Sequence, residues 1–294
     1  MLAYDVATQA AIDIEVGLVK QLWLEAFPED DEAAFTSYFQ GRLAGAKSFV
    51  YMCQKEVASM AFSLPASMIG ADNSSLNKVD FLVGVATAQK WRGHHFASQI
   101  LQTIAHQAQI RSCHCLLLST YIPQFYLKLG YQEVAWHKNW RWSGAKAEQQ
   151  KNGPVFLGSK SDLAALAAYY KKEQQYGYLE RNLNYWRWRF QDADQIYVLK
   201  DNRGNLSAYA IFNKDKQCEE LLSDTSQGVA ELIKNGNLAN PFGIGSTKLN
   251  EKLGQDKDFE EVGRGSCQMV LPLTKRFKDE YSRSGAHFCC LDNW

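Results

Sequence analysis

The stretch Val79–Tyr131, VDFLVGVATAQKWRGHHFASQILQTIAHQAQIRSCHCLLLSTYIPQFYLKLGY, decides how the rest of the chain is read. Val79, Phe81, Val83 and Val85 alternate as a strand does, while Ala97, Ile100, Leu101, Ile104, Ala105 and Ala108 recur at helical spacing. Between the two periods sits Arg92-Gly93, where the carboxyl end of the strand gives way to the amino end of the helix. Such a junction leaves backbone N–H groups without intrahelical partners and adds the positive end of the helix dipole. It therefore binds phosphate with little help from side chains. A second apolar strand follows at Cys115–Leu118, then a short helix that opens near Pro123, closes at Gly130 and carries Phe125-Tyr126.

These residues resemble the GNAT superfamily of acyl-CoA-dependent N-acyltransferases. In that family a strand feeds an arginine/glutamine-x-x-glycine-x-glycine/alanine loop whose amides hold the coenzyme A pyrophosphate. Here the loop reads Lys90-Trp91-Arg92-Gly93-His94-His95: Arg92 and Gly93 fit, whereas Lys90 and His95 depart from the pattern. The run Phe125-Tyr126-Leu127-Lys128-Leu129-Gly130-Tyr131 resembles the family's FYxKxGF signature closely. The resemblance implies that acetyl-CoA, as co-substrate, lies against Val83, Gly84 and Val85 and against the loop of Arg92, Gly93, His94, His95, Phe96 and Ala97. It also makes Tyr126 the general acid for the departing thiolate. A phenol with its ordinary pKa of about 10 stays protonated where a thiol of about 8.5 begins to ionise.

Composition sets the bounds. The chain has 294 residues, 46% of them apolar, with 15 Phe, 14 Tyr and 8 Trp, enough for a sizeable core and two domains. Lys plus Arg and Asp plus Glu are 32 each, so bulk charge points to neither nucleic acid nor membrane. Trp140-Arg141-Trp142 and Trp186-Arg187-Trp188-Arg189 interleave aromatic and basic residues as single-strand binders do, but each run also fits an apolar strand or helix face. No apolar run approaches the roughly 20 residues a membrane helix needs, and the amino end lacks a secretory pattern. Seven cysteines, mostly in apolar segments, read as reduced thiols of a cytoplasmic protein. Cys113-His114-Cys115 enters an apolar strand, Cys289-Cys290 has no ligand spacing, and His94 and His95 lack partners, so no metal is expected.

Taken in order, Val16–Phe27 and Phe35–Leu43 show helical apolar faces separated by Glu29-Asp30-Asp31-Glu32, and Phe49–Cys53 and Val57–Leu64 read as a tight hairpin. Residues 71–78 read as a polar loop into the central strand. Trp136, Trp140 and Trp142 share one parity of a later strand. The polar run Ser143–Pro154 marks a boundary. Beyond it, two helices, a hairpin around Asp201–Asn205, a helix at Val229–Ile233 and strands near Phe242–Ile244 and Met269–Leu271 repeat the order of the first half. They carry neither the arginine-glycine loop nor the phenylalanine-tyrosine signature.

The expected fold is therefore α+β with a mixed sheet, as two tandem GNAT-like lobes, the second degenerate. The expected boundaries are 1–145 for the acyl-CoA-binding lobe, 154–275 for the second lobe and 276–294 for a tail. With the LWxxAFxxDD-like opening at Leu22–Asp31 and NLNYWRWR at Asn182–Arg189, the chain resembles the tandem-lobe acetyltransferases of the enhanced-intracellular-survival type, without their sterol-carrier-like third domain. The resemblance implies acetyl transfer to a primary amine, a small molecule or a lysine, by direct attack in a ternary complex. It also offers the Trp294 carboxylate as general base, because the strand positions where many relatives carry a glutamate are the apolar Val79, Phe81 and Val83. Remote base, water and no base at all remain open. The alternative function is an acyl-CoA-binding regulator without turnover, and the aromatic-rich second half offers an interface for a homo-oligomer.

Overall fold

The structure is a computed structural model that describes residues 4–5, 9–69, 75–144, 155–173, 179–213, 216–236 and 242–283. Its first half runs β1 (Tyr4–Asp5), α1 (Gln9–Ala26), α2 (Glu32–Gly41), β2 (Lys47–Cys53), β3 (Glu56–Ile69), β4 (Ser75–Thr87), α3 (Phe96–Ile110), β5 (Cys115–Thr120), α4 (Pro123–Leu127) and β6 (Gln132–Trp142). Its second half runs β7 (Val155–Leu157), α5 (Leu163–Glu173), α6 (Leu183–Asp192), β8 (Gln195–Lys200), β9 (Leu206–Phe212), β10 (Cys218–Ser223), α7 (Ser226–Gly236), β11 (Phe242–Ile244), α8 (Thr247–Gly254), β12 (Phe259–Pro272) and α9 (Lys275–Arg283).

Local chemistry sets several element ends. The Asp31 carboxylate accepts from the Ala34 amide at 2.7 Å and starts α2, and the Asn182 side chain does the same for α6 from Tyr185 at 2.9 Å. Gln54 and Lys55 both take positive φ, 51° and 67°, the handedness a two-residue hairpin turn needs between β2 and β3. The predicted loop at 71–78 is shorter than expected: Ser75–Lys78 already belongs to β4 and pairs with the end of β3. Its polar composition does not prevent ladder hydrogen bonds, which use only the backbone.

Strand parity sorts the core of the first half. Val79, Phe81 and Val83 pack with Trp23, Phe35 and Phe62 under α1 and α2, whereas Leu82 packs with Ile100, Leu101 and Ile104 under α3. Asp80 faces the α3 side, where it accepts from Ser63 Oγ at 2.5 Å and from Arg111 Nη2 at 2.6 Å. Removing Arg111 would strand a buried carboxylate, so this pair anchors the end of α3.

The second half repeats the first element for element, from α5–α6 through β8, β9, β10, α7, β11 and α8 to β12. The strands do not stay in two separate sheets. One sheet has the order β1-β2-β3-β4-β5-β12-β6-β11 and the other β10-β9-β8-β7. Strand β12, the last of the second half, enters the first half between β5 and β6, and β6 in turn pairs with β11. The halves have thus exchanged their final strands. Trp136, Trp140 and Trp142, which share parity, consequently meet different cores: Trp136 packs near Leu118 and Tyr126, and Trp140 and Trp142 pack in the second half. Trp140 donates to Asn250 Oδ1 at 2.7 Å, and Trp186 is fully buried, so neither aromatic-basic run is a surface stripe. Helix contacts add to the join, since a Cβ on Gly41 of α2 would lie 2.0 Å from the Trp188 ring of α6.

Among the described residues no helix is long and apolar enough to cross a membrane. No three His, Cys, Asp or Glu side chains there gather as metal ligands. Cys113 and Cys115 are core thiols.

His137 marks the strand exchange electrostatically. It lies on β6, 9% exposed, against Gly243 of β11 and Gly265 of β12, and a Cβ on Gly243 would come within 2.1 Å of its ring. Desolvation lowers its pKa from 6.5 to about 4. Between those values the unfolded chain takes up a proton that the folded chain refuses, so stability falls as pH drops through this window. The full effect is about 3 kcal/mol. Denaturant titrations at pH 7 and pH 4.5 should show the wild type losing more stability on acidification than His137→Gln.

Candidate active site

The parting of β4 from β5 creates the site. The two strands run parallel, and their pairing ends at Leu82 opposite Leu118, although β4 continues to Thr87. The cause lies on β4. Between the pairs Met60–Ala86 and Phe62–Val83, β4 spends one more residue than β3, a bulge that bends it away from β5. Gly84 occupies the bulge with φ +61°, and an added Cβ there would lie 2.6 Å from the Trp23 ring and 2.9 Å from Phe62. Only glycine satisfies both the backbone and the space. Val83, Gly84 and Val85 therefore present main chain along a strand edge that β5 no longer covers.

At the end of β4 the chain makes one 3-10 turn at Gln89–Trp91 and reaches the loop before α3. Glu25 of α1 accepts from the Gln89 amide at 2.7 Å, and Lys90, the residue that departs from the arginine/glutamine pattern, pairs with Glu56 of the β2–β3 hairpin. Arg92 folds back, its Nε donating to the Thr87 carbonyl at 3.3 Å. Gly93 has φ +85° and His95 has φ +62°. His95 stands at the start of α3 with no side-chain cap on the helix. Left-handed residues one apart, followed by uncapped helical amides, form a concave nest of N–H groups that suits an anion. Arg92, His94 and His95 are exposed around it, and Ala97 is half-buried in the first turn. Phe96 has a packing role, stacked 4.0 Å from Tyr51 and 5.6 Å from His94. Only its amide is offered to a ligand.

Tyr126 stands at the carboxyl end of the neighbouring strand. It is 6% exposed, on the α3 side of the sheet, with Phe125 and Tyr131 edge-on at 5.0 and 5.6 Å. Burial pushes its phenol well above the ordinary value, and Thr120, the last residue of β5, hydrogen-bonds to it. Thr120 Oγ1 also accepts from the Ile122 amide at 3.1 Å, which ties α4 to the strand end. The structure thus brings the glycine bulge, the loop of Arg92–Ala97 and Tyr126 to the carboxyl ends of two adjacent parallel strands, where α/β sheets place their ligands. Trp294 lies outside the described residues.

The acidic run between α1 and α2 was legible in the sequence, but two of its neighbours, Asp192 and the Trp23 set against Gly84, were not. Trp23 presses on Gly84 and donates from Nε1 to Asp30 Oδ2 at 2.7 Å. Asp30 is half-buried, and its pKa is raised by desolvation, with Glu29, Asp192 and Asp31 adding like charge. Asp192, at the end of α6, accepts from Ser37 at 3.2 Å. The acidic run between α1 and α2 is therefore joined by a carboxylate from the second half, a meeting with no trace in local sequence.

A family model for the acetyltransferase (GNAT) domain matches residues 10–134. Over that span the first half of this chain is similar to a GNAT acetyltransferase domain. No curated protein matches the sequence. Among solved structures, the chain is similar to a GCN5-related N-acetyltransferase from Anabaena variabilis, at 14% identity and TM-score 0.67, over 91% of this chain and 72% of that one. Eis1 from Mycobacterium abscessus is similar at 13% identity and TM-score 0.65, over 93% and 74% of the two chains. A conserved Enterococcus faecalis protein of unknown function, described as a probable N-acyltransferase, is similar at 14% identity and TM-score 0.70, over 92% and 72%. At such identities the likeness is one of fold, and it runs through both halves. GNAT acetyltransferases in general draw the acyl group from acetyl-CoA, and the general chemistry is acyl transfer.

Gly84→Ala tests the opening. The change forces a left-handed alanine against Trp23 and Phe62, at a cost of about 2–4 kcal/mol by strain and overpacking. Chemical denaturation should show that loss, and coenzyme A binding by calorimetry should weaken along with it.

Proposed function

We propose that this chain is an acetyl-CoA-dependent N-acetyltransferase that passes the acetyl group to a primary amine by direct attack in a ternary complex. The observation that carries the reading is the meeting of the parted strands β4 and β5 with the amide nest at Arg92–Ala97 and the buried phenol of Tyr126. The diphosphate of acetyl-CoA would take the nest, with Arg92 as a cationic flank and His94 and His95 as hydrogen-bonding neighbours. The pantetheine arm would extend along Val83–Val85, and backbone N–H groups there polarise the thioester carbonyl as an oxyanion hole does. Tyr126 then protonates the thiolate. Its raised pKa keeps the phenol protonated, with its proton in place, across the physiological range.

The chain divides for this purpose into 1–145 as acyl-CoA-binding lobe, 154–275 as second lobe and 276–294 as tail, with β12 crossing between them. The free thiols Cys113 and Cys115 suit a reducing compartment, the cytoplasm. The acidic mouth of Glu29, Asp30, Asp31 and Asp192 favours a cationic acceptor, a small polyamine-like molecule or a lysine side chain.

A second reading, acyl-CoA binding without turnover, is favoured by one feature: Val79, Phe81 and Val83 make the acceptor face of β4 apolar where a basic carboxylate would serve. Calorimetry with coenzyme A and thiol release from acetyl-CoA with an amine panel separate the two. Wild type should bind and turn over, and Tyr126→Phe should lower kcat about 10²-fold with unchanged affinity for coenzyme A. Binding with no turnover on any amine would leave the second reading standing, and absence of binding would remove both.

A further inference from the structure

Strand β12 comes from the second half of the chain, yet it lies one strand away from the opening between β4 and β5. The last β4–β5 pair is Leu82 with Leu118, so Val83 and Ser119 are the first residues to face each other across the gap. Ser119 pairs with Gln268 on β12, and Gln268 pairs with Ala135 on β6. Residues paired in this way project from the same face. Parity identifies that face. Leu117 and Val270, two residues from Ser119 and Gln268, pack with Trp23 and Val83 under α1 and α2, whereas Leu118 and Cys267 pack with Tyr126 on the opposite side.

On this face two polar atoms, neighbours across the β5–β12 ladder, lack partners at the edge of the cleft. Gln268 is 2% exposed and its Oε1 has no hydrogen-bond partner, and the buried Oγ of Ser119 has none either. A buried polar atom without a partner costs stability, and what sets these two apart is that they adjoin each other at the first unpaired position between β4 and β5.

We infer that Gln268 and Ser119, supplied by the exchanged strand and its neighbour, form the polar floor that receives the nitrogen of the acceptor amine opposite Tyr126. The inference rests on the acetyltransferase reading. A carboxamide suits the task because it is neutral. A carboxylate in contact would favour the ammonium form, which has no lone pair, whereas the Gln268 carbonyl accepts an N–H and leaves the nitrogen free to attack. The nitrogen lone pair then forms the N–C bond as the C–S bond breaks. The thiolate takes the phenolic proton of Tyr126, and the proton released by nitrogen returns to the phenolate through water. The products are the amide and the coenzyme A thiol, with no net proton change at the enzyme.

The test uses the full chain with acetyl-CoA and three amines: spermidine, kanamycin and a lysine peptide. Ser119→Ala and Gln268→Met should lower kcat/KM for the amine about ten-fold or more, with affinity for coenzyme A unchanged. Melting temperature should stay level or rise in Gln268→Met, since an unpartnered group is removed. Gln268→Glu should move the pH–rate profile to higher pH, a change that a packing role would not cause. A crystal of the wild-type chain with acetyl-CoA provides an arm independent of the amine chosen and of variant folding. It should show the acetyl carbon opening toward Ser119 and Gln268. Unaltered amine kinetics in both variants, or an acetyl group turned to the α3 face with only water on Gln268, would overturn the inference. If coenzyme A binds while Gln268 proves indifferent, this inference alone falls. If coenzyme A does not bind, the acetyltransferase reading falls with it.

Discussion

Everything in this molecule that bears on chemistry depends on the contact between the Trp23 indole and the bare Cα of Gly84. The indole occupies the space a side chain would need, and the left-handed φ of Gly84 carries the bulge that turns β4 out of register with β5. Parallel strands normally continue their ladder, because every unpaired N–H and C=O in a sheet interior is costly. Here the ladder stops after Leu82, and the main chain beyond it is left as an open edge. The same indole reaches the other way to Asp30, so one side chain connects the open strand to the acidic rim.

The exchanged strand explains how a sheet can afford such a gap. With β4 lost as a full partner, β5 gains β12 on its other side, hydrogen-bonded from Cys115 to Thr120. Strand β12 also pairs along β6, which itself continues to β11. The cleft is thus braced by a strand whose attachment lies in the other half of the chain, and the two halves are inseparable on the side of the sheet that matters. Glycines at 243 and 265 let those strands close over His137, and the imidazole accordingly stays neutral.

The two halves share an element order but diverge at one small place. In the first, Gly93 and His95 take left-handed conformations and no side chain caps α3. In the second, the equivalent junction before α7 is closed by its own hydroxyls: Thr225 Oγ1 accepts from the Gly228 amide at 3.0 Å, and Ser223 Oγ accepts from the Thr225 amide at 3.2 Å. Amides already satisfied in this way have little left for a phosphate. The second half therefore serves as framework, supplying β12 and the Asp192 carboxylate to the first.

The sequence alone determined what short-range periodicity and local backbone chemistry can express. The alternation from Val79 to Val83, the helical spacing from Ala97 to Ala108, the glycine loop and the Phe125–Tyr131 signature placed one lobe's elements and supplied the residues proposed for its site. The alternation failed at Val85, which the Gly84 bulge turns to the α3 side. The repeated order of elements revealed the second lobe. Tertiary structure decided what lies beside what. No period in Phe259–Pro272 says that it lies between β5 and β6, because ladder hydrogen bonds are made by backbone atoms common to all residues and the partners lie more than a hundred residues away. Trp23 on Gly84, Asp192 beside Asp30 and Gln268 beside Ser119 became visible only when the chain had folded, since each joins segments that local spacing cannot relate.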